Sequence, residues 1–322
     1  MVMSATALKT QSSPATVYLI DASIYIFQAH FSPYVEYTNR HGNELGALYG
    51  FIQFLLQFRR RTGATHVAVA LDESLFCGFR HDLCPNYKSN RELPDANLAM
   101  QLVACAELCA VFGLAAFGSK IYEADDIVGT IAKRVRAETA NATAINIVTR
   151  DKDLAQLLVN PRDCVWDYSG NHKRYWQDIV RDFGVTPAQI PDFLGLTGDP
   201  VDRISGVPGV GPVKAKELLK QFSSMEGIYQ NLDQVGTLTL RGAQRLQSQL
   251  AEFRASAELS KRLATIACDV QDQQEAFSQV GLADLRTTSI SSQALRDFLS
   301  EYAFHQEDRD RILTSAAAIS QS

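Results

Sequence analysis

At 322 residues the chain has room for one large domain or two smaller ones, with a substantial buried core. Its 46% hydrophobic and 21% charged content is that of an ordinary globular protein, and no run of about 18 uncharged apolar residues offers a membrane span. The formal charge of −5 argues, as an average, against nucleic acid as a partner.

The opening MVMSATALKTQSSPAT lacks a basic region followed by an apolar run and reads as a loose tail over residues 1–15. The first buried strand is VYLID (17–21). ELGALYGFIQFLLQFRRR (44–61) carries apolar residues at helical spacing and describes a core-facing helix. Its closing Arg59, Arg60 and Arg61 suit the helix dipole and read as structural. HVAVALD (66–72) is a second strand, and NLAMQLVACAELCAVFG (97–113) a second core helix closed by glycine. YEADDIVGTIAKRV (122–135) is an amphipathic helix headed by three carboxylates, and INIVTRD (145–151) and DCVWD (163–167) are further strands. Strands alternating with helices predict a mostly parallel sheet covered on both faces. From about residue 175 helical patterns dominate, in WQDIVRDFG, PAQIPDFLGL, VKAKELLKQF and about 240–265, so a helical second lobe is expected. The closing TSAAAISQS reads as a frayed end. Six cysteines (Cys77, Cys84, Cys105, Cys109, Cys164, Cys268) form no C-x-x-C pair, which suits reduced thiols and a cytoplasmic location. Cys105 and Cys109 read as small buried hydrophobes.

Asp21, Asp72 and Asp151 each stand at the carboxyl end of a strand. In open α/β sheets the carboxyl ends of the strands line one crevice, where ligands bind. Asp153 follows Asp151 by two residues, and Glu123, Asp125 and Asp126 head the helix leading into that strand. GDPVD adds Asp199 and Asp202. Taken singly, such acids are ordinary turn or cap residues. Nine in pocket-facing loops are costly unless cations neutralise them, and oxygen ligands select hard ions such as magnesium or manganese. More carboxylates than one ion needs suggests two metal sites, as in two-metal phosphodiester cleavage. Setting those nine acids aside turns the formal −5 into +4, so nucleic acid is no longer disfavoured.

Two stretches point to a substrate. In ISGVPGVGPVKAKELL (204–219), Gly209, Val210 and Gly211 form a turn before a helix carrying Lys214 and Lys216. This helix–hairpin–helix pattern brings backbone N–H groups to phosphates without reading sequence, although a plain glycine turn has the same composition. FRHDLCPNYKSNRE (79–92) is a basic insertion near the pocket mouth. Arg80, Lys88 and Arg91 are expected to contact phosphates and Tyr87 to stack on a base, against a solvated loop as the alternative.

The ordered series LID, LD, FRHDLCPNYKSNR, YEADD, TRDKDLAQLL, LTGDPVD and GVPGVG resembles the 5′ nuclease or flap endonuclease family over about residues 16–310. That family stands at the front of bacterial DNA polymerase I and in stand-alone bacterial and phage 5′–3′ exonucleases. The resemblance implies a PIN-like α/β nuclease domain over 16–175, with a helical arch at about 79–100 above the active site. It further implies a helical DNA-binding lobe over 176–310 with its helix–hairpin–helix at 204–220, followed by a tail over 311–322. Acids matching Asp21, Asp72, Glu123, Asp125 and Asp126 belong chiefly to one magnesium or manganese site, and Asp151, Asp153, Asp199 and Asp202 chiefly to the second. Lys88 and Arg91 match the catalytic arch cations, and the turn at Gly206–Gly211 resembles a potassium-assisted DNA grip. The implied partner is DNA with a 5′ flap, free 5′ end or branch, with no membrane and no obligatory protein partner. The implied role is flap or primer removal in replication or repair. No polymerase-like portion follows, so a stand-alone nuclease is expected. Ala22, Gln28, Arg150, Arg203 and Ser205 depart from the family pattern, which keeps a weakened binder of branched DNA as the alternative. A PIN-like ribonuclease is the other rival, but it has no reason to carry GVPGVG.

Overall fold

A computed structural model describes residues 16–320, so the tail expected over 1–15 lies outside the described residues. Six strands, β1 (Thr16–Asp21), β2 (His66–Asp72), β3 (Ala115–Ser119), β4 (Ala144–Val148), β5 (Cys164–Asp167) and β6 (His172–Tyr175), form one sheet in the order β3-β2-β1-β4-β5-β6. The first five are parallel, and β6 returns antiparallel to β5 at the edge. β3 and β6 are the two strands that sequence reading missed. AAFGS is short, small-chained and half-buried, and HKRY is a polar edge strand, so neither carries a buried β signal.

Alternate strand residues enter two cores. Val17, Leu19, Ala68, Ala70, Ile145 and Ile147 face one, whereas Ile20, Val67, Val69, Leu71 and Val148 face the other. The second core is covered by α1 (Ala22–His30) and α2 (Gly46–Thr62), the latter burying Phe51, Phe54 and Phe58. After β2 comes a five-residue helix, α3 (Phe79–Leu83), and then α4 (Ala96–Val111), which places Cys105 and Cys109 in the same core as expected. Gly113 ends that helix at φ +64°, where a Cβ would meet the Thr288 carbonyl oxygen at 2.6 Å, so glycine is required. α5 (Ala124–Glu138) covers the first core with Ile127, Val128, Ile131 and Val135. Arg59 donates to the carbonyls of Phe112 and Thr288, a structural role as read.

The helical lobe comprises α6 (Trp176–Phe183), α7 (Ile190–Thr197), α8 (Pro212–Phe222), α9 (Met225–Gln230), α10 (Leu232–Val235), α11 (Ala243–Glu252) and α12 (Arg254–Ala264). Leu196, Val207, Leu218 and Leu246 are continuous with the first core, so the lobe is fused to the sheet domain rather than tethered to it. The chain then returns along the far face. Thr287 and Thr288 donate to the carbonyls of Thr65 and Gly113, and α13 (Ser292–Glu301) and α14 (Gln306–Ser320) follow. The tail expected over 311–322 is therefore helical as far as Ser320, with Ile312 and Ala316 buried in the second core. Its small residues gave no apolar periodicity, but alanine suits a helix resting on another helix. Among the described residues no helix is long and apolar enough to cross a membrane.

Candidate metal-dependent active site

Strand register builds the site. Ile20 pairs with both Val69 and Val148, so β1 and β4 end level, and Asp72 projects two residues beyond the partner of Asp21. Asp21 is buried, and its Oδ2 accepts from Thr149 Oγ1 at 2.9 Å. That same hydroxyl accepts from the Asp151 N–H at 3.0 Å, and Asp151 Oδ1 accepts from the Asp153 N–H at 2.8 Å. Thr149 thus fixes three of the acids relative to one another. Asp72 is braced by the Ser74 hydroxyl at 2.8 Å, and Asp125 lies in the first turn of α5.

The carboxylates feel one another. Burial pushes the Asp21 carboxyl up to about 7, with the charges of Asp151 and Asp72 adding to it against the Thr149 bond. Asp125 is driven well above the usual carboxylate range by burial and by Asp151 and Asp21. Asp153 also rises to about 7, through burial and then Asp151, and its Oδ1 is buried without a hydrogen-bond partner. Among the described residues no three acidic, histidine or cysteine side chains already close on one point as a metal cage. The acids are instead linked through Thr149 and through the charges they feel. An all-oxygen donor set at Asp21, Asp72, Asp125, Asp151 and Asp153, ionisation opposed at Asp21, Asp125 and Asp153, and an orphaned buried oxygen on Asp153 together fit hard divalent cations.

Three residues assigned to metal or DNA hold the fold together instead. Asp126 is fully buried, takes a bidentate pair from Arg80 at 2.6 and 2.8 Å, and accepts the N–H groups of Glu123 and Ala267. With both oxygens occupied in the core, it is no metal ligand. Arg80 also donates to the carbonyls of Leu263 and Thr265, clamping the end of α12 to α5, so it is not a DNA contact. Tyr87 is buried and its hydroxyl donates to Glu123 Oε2 at 3.1 Å, so as folded here its ring is packed against the protein rather than open to a base.

The expected helical arch is only α3 followed by turns to Asp95, folded down onto the acids. Lys88 Nζ lies 2.8 Å from Glu123 Oε1, and Arg91 Nη2 lies 2.9 Å from Asp202 Oδ1. The Lys88 and Arg80 charges hold the Glu123 carboxyl below its ordinary value despite burial. Asp199 accepts from the Val201 N–H and from Lys152 Nζ at 3.0 Å. Sequence reading passed over Lys152, although its place between two acids in TRDKD was a signal. A cavity of about 500 Å³ opens beside this cluster, walled by Phe27, Phe31 and Phe76 and reaching Asp72, Lys88 and Arg91. A larger one of about 1010 Å³, between α3 and α12, contains none of the crevice acids.

Between α7 and α8 the chain makes the expected hairpin. Gly206 has φ +65°, and a Cβ there would lie 2.3 Å from the Gly198 nitrogen. Gly209 and Gly211 are exposed, and Lys214 Nζ donates to the Gly209 carbonyl at 2.8 Å. Val210 is a correction: its side chain is buried and its N–H donates to the Val207 carbonyl, so it has nothing to offer a phosphate. Lys216 runs along Gly184, half-buried.

A family model described as the 5′-3′ exonuclease N-terminal resolvase-like domain matches residues 16–184, and one described as the 5′-3′ exonuclease C-terminal SAM fold matches 185–290. The chain belongs to the 5′–3′ exonuclease family. Family relatives include the 5′-3′ exonuclease of Buchnera aphidicola subsp. Baizongia pistaciae, 32% identical over 78% of this chain and 82% of the relative. DNA polymerase I of Pseudomonas aeruginosa is 37% identical over 80% of this chain, which spans only 28% of that longer protein. The same holds for DNA polymerase I of Bacillus subtilis, 34% identical, of which 28% is covered. In fold the chain is similar to zinc-bound T5 5′-exonuclease, with a TM-score of 0.61 at 16% identity over 95% of this chain and 99% of that one. It is also similar to the catalytic core of Rad2 with DNA substrate, with a TM-score of 0.59 at 15% identity over 94% of each chain.

Proposed function

We propose that this family member is a divalent-metal-dependent 5′ nuclease that hydrolyses DNA phosphodiester bonds at 5′ ends and flaps without reading sequence. The observation that carries the reading is the meeting of Asp21, Asp125, Asp151 and Asp153 around the carboxyl ends of β1 and β4, in a setting that opposes ionisation of Asp21, Asp125 and Asp153. Bound magnesium or manganese would supply a nucleophile at neutral pH and stabilise the attacking and leaving oxygens. The chain's own residues do the rest. Asp21, Asp72 and Asp125 hold one side of the crevice, with Glu123 at its rim, and Asp151, Asp153, Asp199 and Asp202 hold the other. Thr149 keeps Asp21 and Asp151 in register. Lys88 and Arg91 line the cavity beside the crevice and would take the substrate's phosphate oxygens. The Gly209–Gly211 turn, with Lys214 and Lys216, grips backbone phosphates, and a potassium ion would share its carbonyls.

Arg150 favours turnover over a disarmed binder. Its Nε lies 3.7 Å from Asp167, on the side of β5, rather than in an ion pair with Asp151 beside it. Matched 5′ flaps of DNA and RNA test the substrate: in magnesium the DNA flap should be cut near its junction and the RNA flap far more slowly. Equal cutting of both would favour the ribonuclease. Lys216→Met should weaken DNA binding about equally across sequences and lower the salt slope of binding by about one. Fluorescence anisotropy across a salt series reads both effects.

A further inference from the structure

Crevice carboxylates are already paired with cations that the chain itself supplies. Lys88 Nζ sits 2.8 Å from Glu123 and 3.8 Å from Asp202, and Arg91 sits 2.9 Å from Asp202. Three further features pin their segment down. The Lys88 N–H donates to the Asp202 carbonyl at 3.1 Å, Asn90 Nδ2 donates to the Val201 carbonyl at 3.2 Å, and the Tyr87 hydroxyl reaches Glu123. Lys88 takes φ +49°, a backbone region that residues with a side chain seldom adopt, and it is only 8% exposed. An ammonium so dry is held there by the carboxylates it neutralises. A divalent cation drawn to Glu123 and Asp202 competes with Lys88 and Arg91 for the same negative charge.

We propose that Lys88 and Arg91 form a latch: their pairs with Glu123 and Asp202 bolt the 84–94 segment onto the crevice, and divalent cations competing for those carboxylates release it. Release turns both side chains from carboxylate counter-ions into phosphate ligands, so the crevice offers its cations to substrate only once metal is in place. This rests on the metal reading above and adds its regulation. The coupling is reciprocal, because whatever factor the metal takes from the latch, the latch takes from metal affinity.

Calorimetric titration of calcium chloride into the DNA-free protein tests it. Lys88→Met should bind calcium about tenfold more tightly than wild type, and Arg91→Gln more tightly as well. Lys133→Met removes the same charge from a remote pair with Asp269 and should leave affinity unchanged. Arg91 lies at the rim and keeps the test open if Lys88→Met folds poorly. In wild type, calcium should also speed chymotryptic cleavage after Tyr87 relative to EDTA. Calcium binding that is unchanged or weaker in both variants, or cleavage that calcium leaves unchanged or slows, overturns the latch. Wild type that binds no calcium overturns the metal reading instead.

Discussion

Asp21→Asn should stabilise the metal-free protein at pH 8 while removing its turnover. The carboxyl is buried and its folded-state value lies near 7, far above the ordinary 3.8. A folded-state value above the unfolded one means a contribution that is fully present below about pH 4 and lost as pH rises through 7. By pH 8 the folded protein without metal carries a cost on the order of 4 kcal/mol for ionising this group. Asparagine removes the charge, keeps the shape, and still offers an oxygen to Thr149. The melting temperature without metal should therefore rise in the variant at pH 8 and rise by less than half as much at pH 5. Wild type should gain more from magnesium at pH 8 than at pH 5, because the cation neutralises what the pH has ionised. Turnover in the variant should fall by more than about a hundredfold, since even partners of metal ligands cost ten- to a hundredfold. Melting curves with magnesium or EDTA at the two pH values, with single-turnover assays, measure all three. A variant less stable than wild type at pH 8 would show that Asp21 is no destabilised carboxylate.

Arg80→Met should cost about 3–5 kcal/mol and leave DNA binding by the folded protein intact. The guanidinium forms a bidentate pair with Asp126 and lies 3.3 Å from Glu123, all buried, and it ties the end of α12 to α5 through two carbonyls. Removing it strands a buried carboxylate, which is costlier than losing the pair as a whole. Replacing both partners, as in Arg80→Met with Asp126→Leu, should recover much of the loss. A phosphate contact behaves otherwise: its loss lowers affinity and the salt slope and spares the melting temperature. Denaturant titration beside DNA anisotropy separates the two.

Much of this site was legible because strand ends are. Near-continuous apolar runs mark parallel strands, and the residue after each run lands at the common edge, which brought Asp21, Asp72 and Asp151 together on paper. YEADD was harder. Adjacent residues on a helix point about 100° apart, so of Asp125 and Asp126 one faces the crevice and the other the core. Nothing local says which. Glu123 and Asp126 do share a face, and their repulsion is offset by Arg80, 46 residues before Asp126. Tyr87 misled for the same reason: a tyrosine in a polar segment looks solvent-facing until the acid that binds its hydroxyl is located. The arch was over-read as helical because the family likeness supplied a shape, whereas CPNYKSN has turn residues and no apolar periodicity.

The metal crevice meets its most direct test in a 5′-labelled DNA flap with excess protein, in magnesium or EDTA, beside Asp151→Ala. Cutting near the junction that needs magnesium and disappears in Asp151→Ala, with DNA binding retained, is the expected result. Cutting that survives EDTA, or that persists in Asp151→Ala, would contradict it.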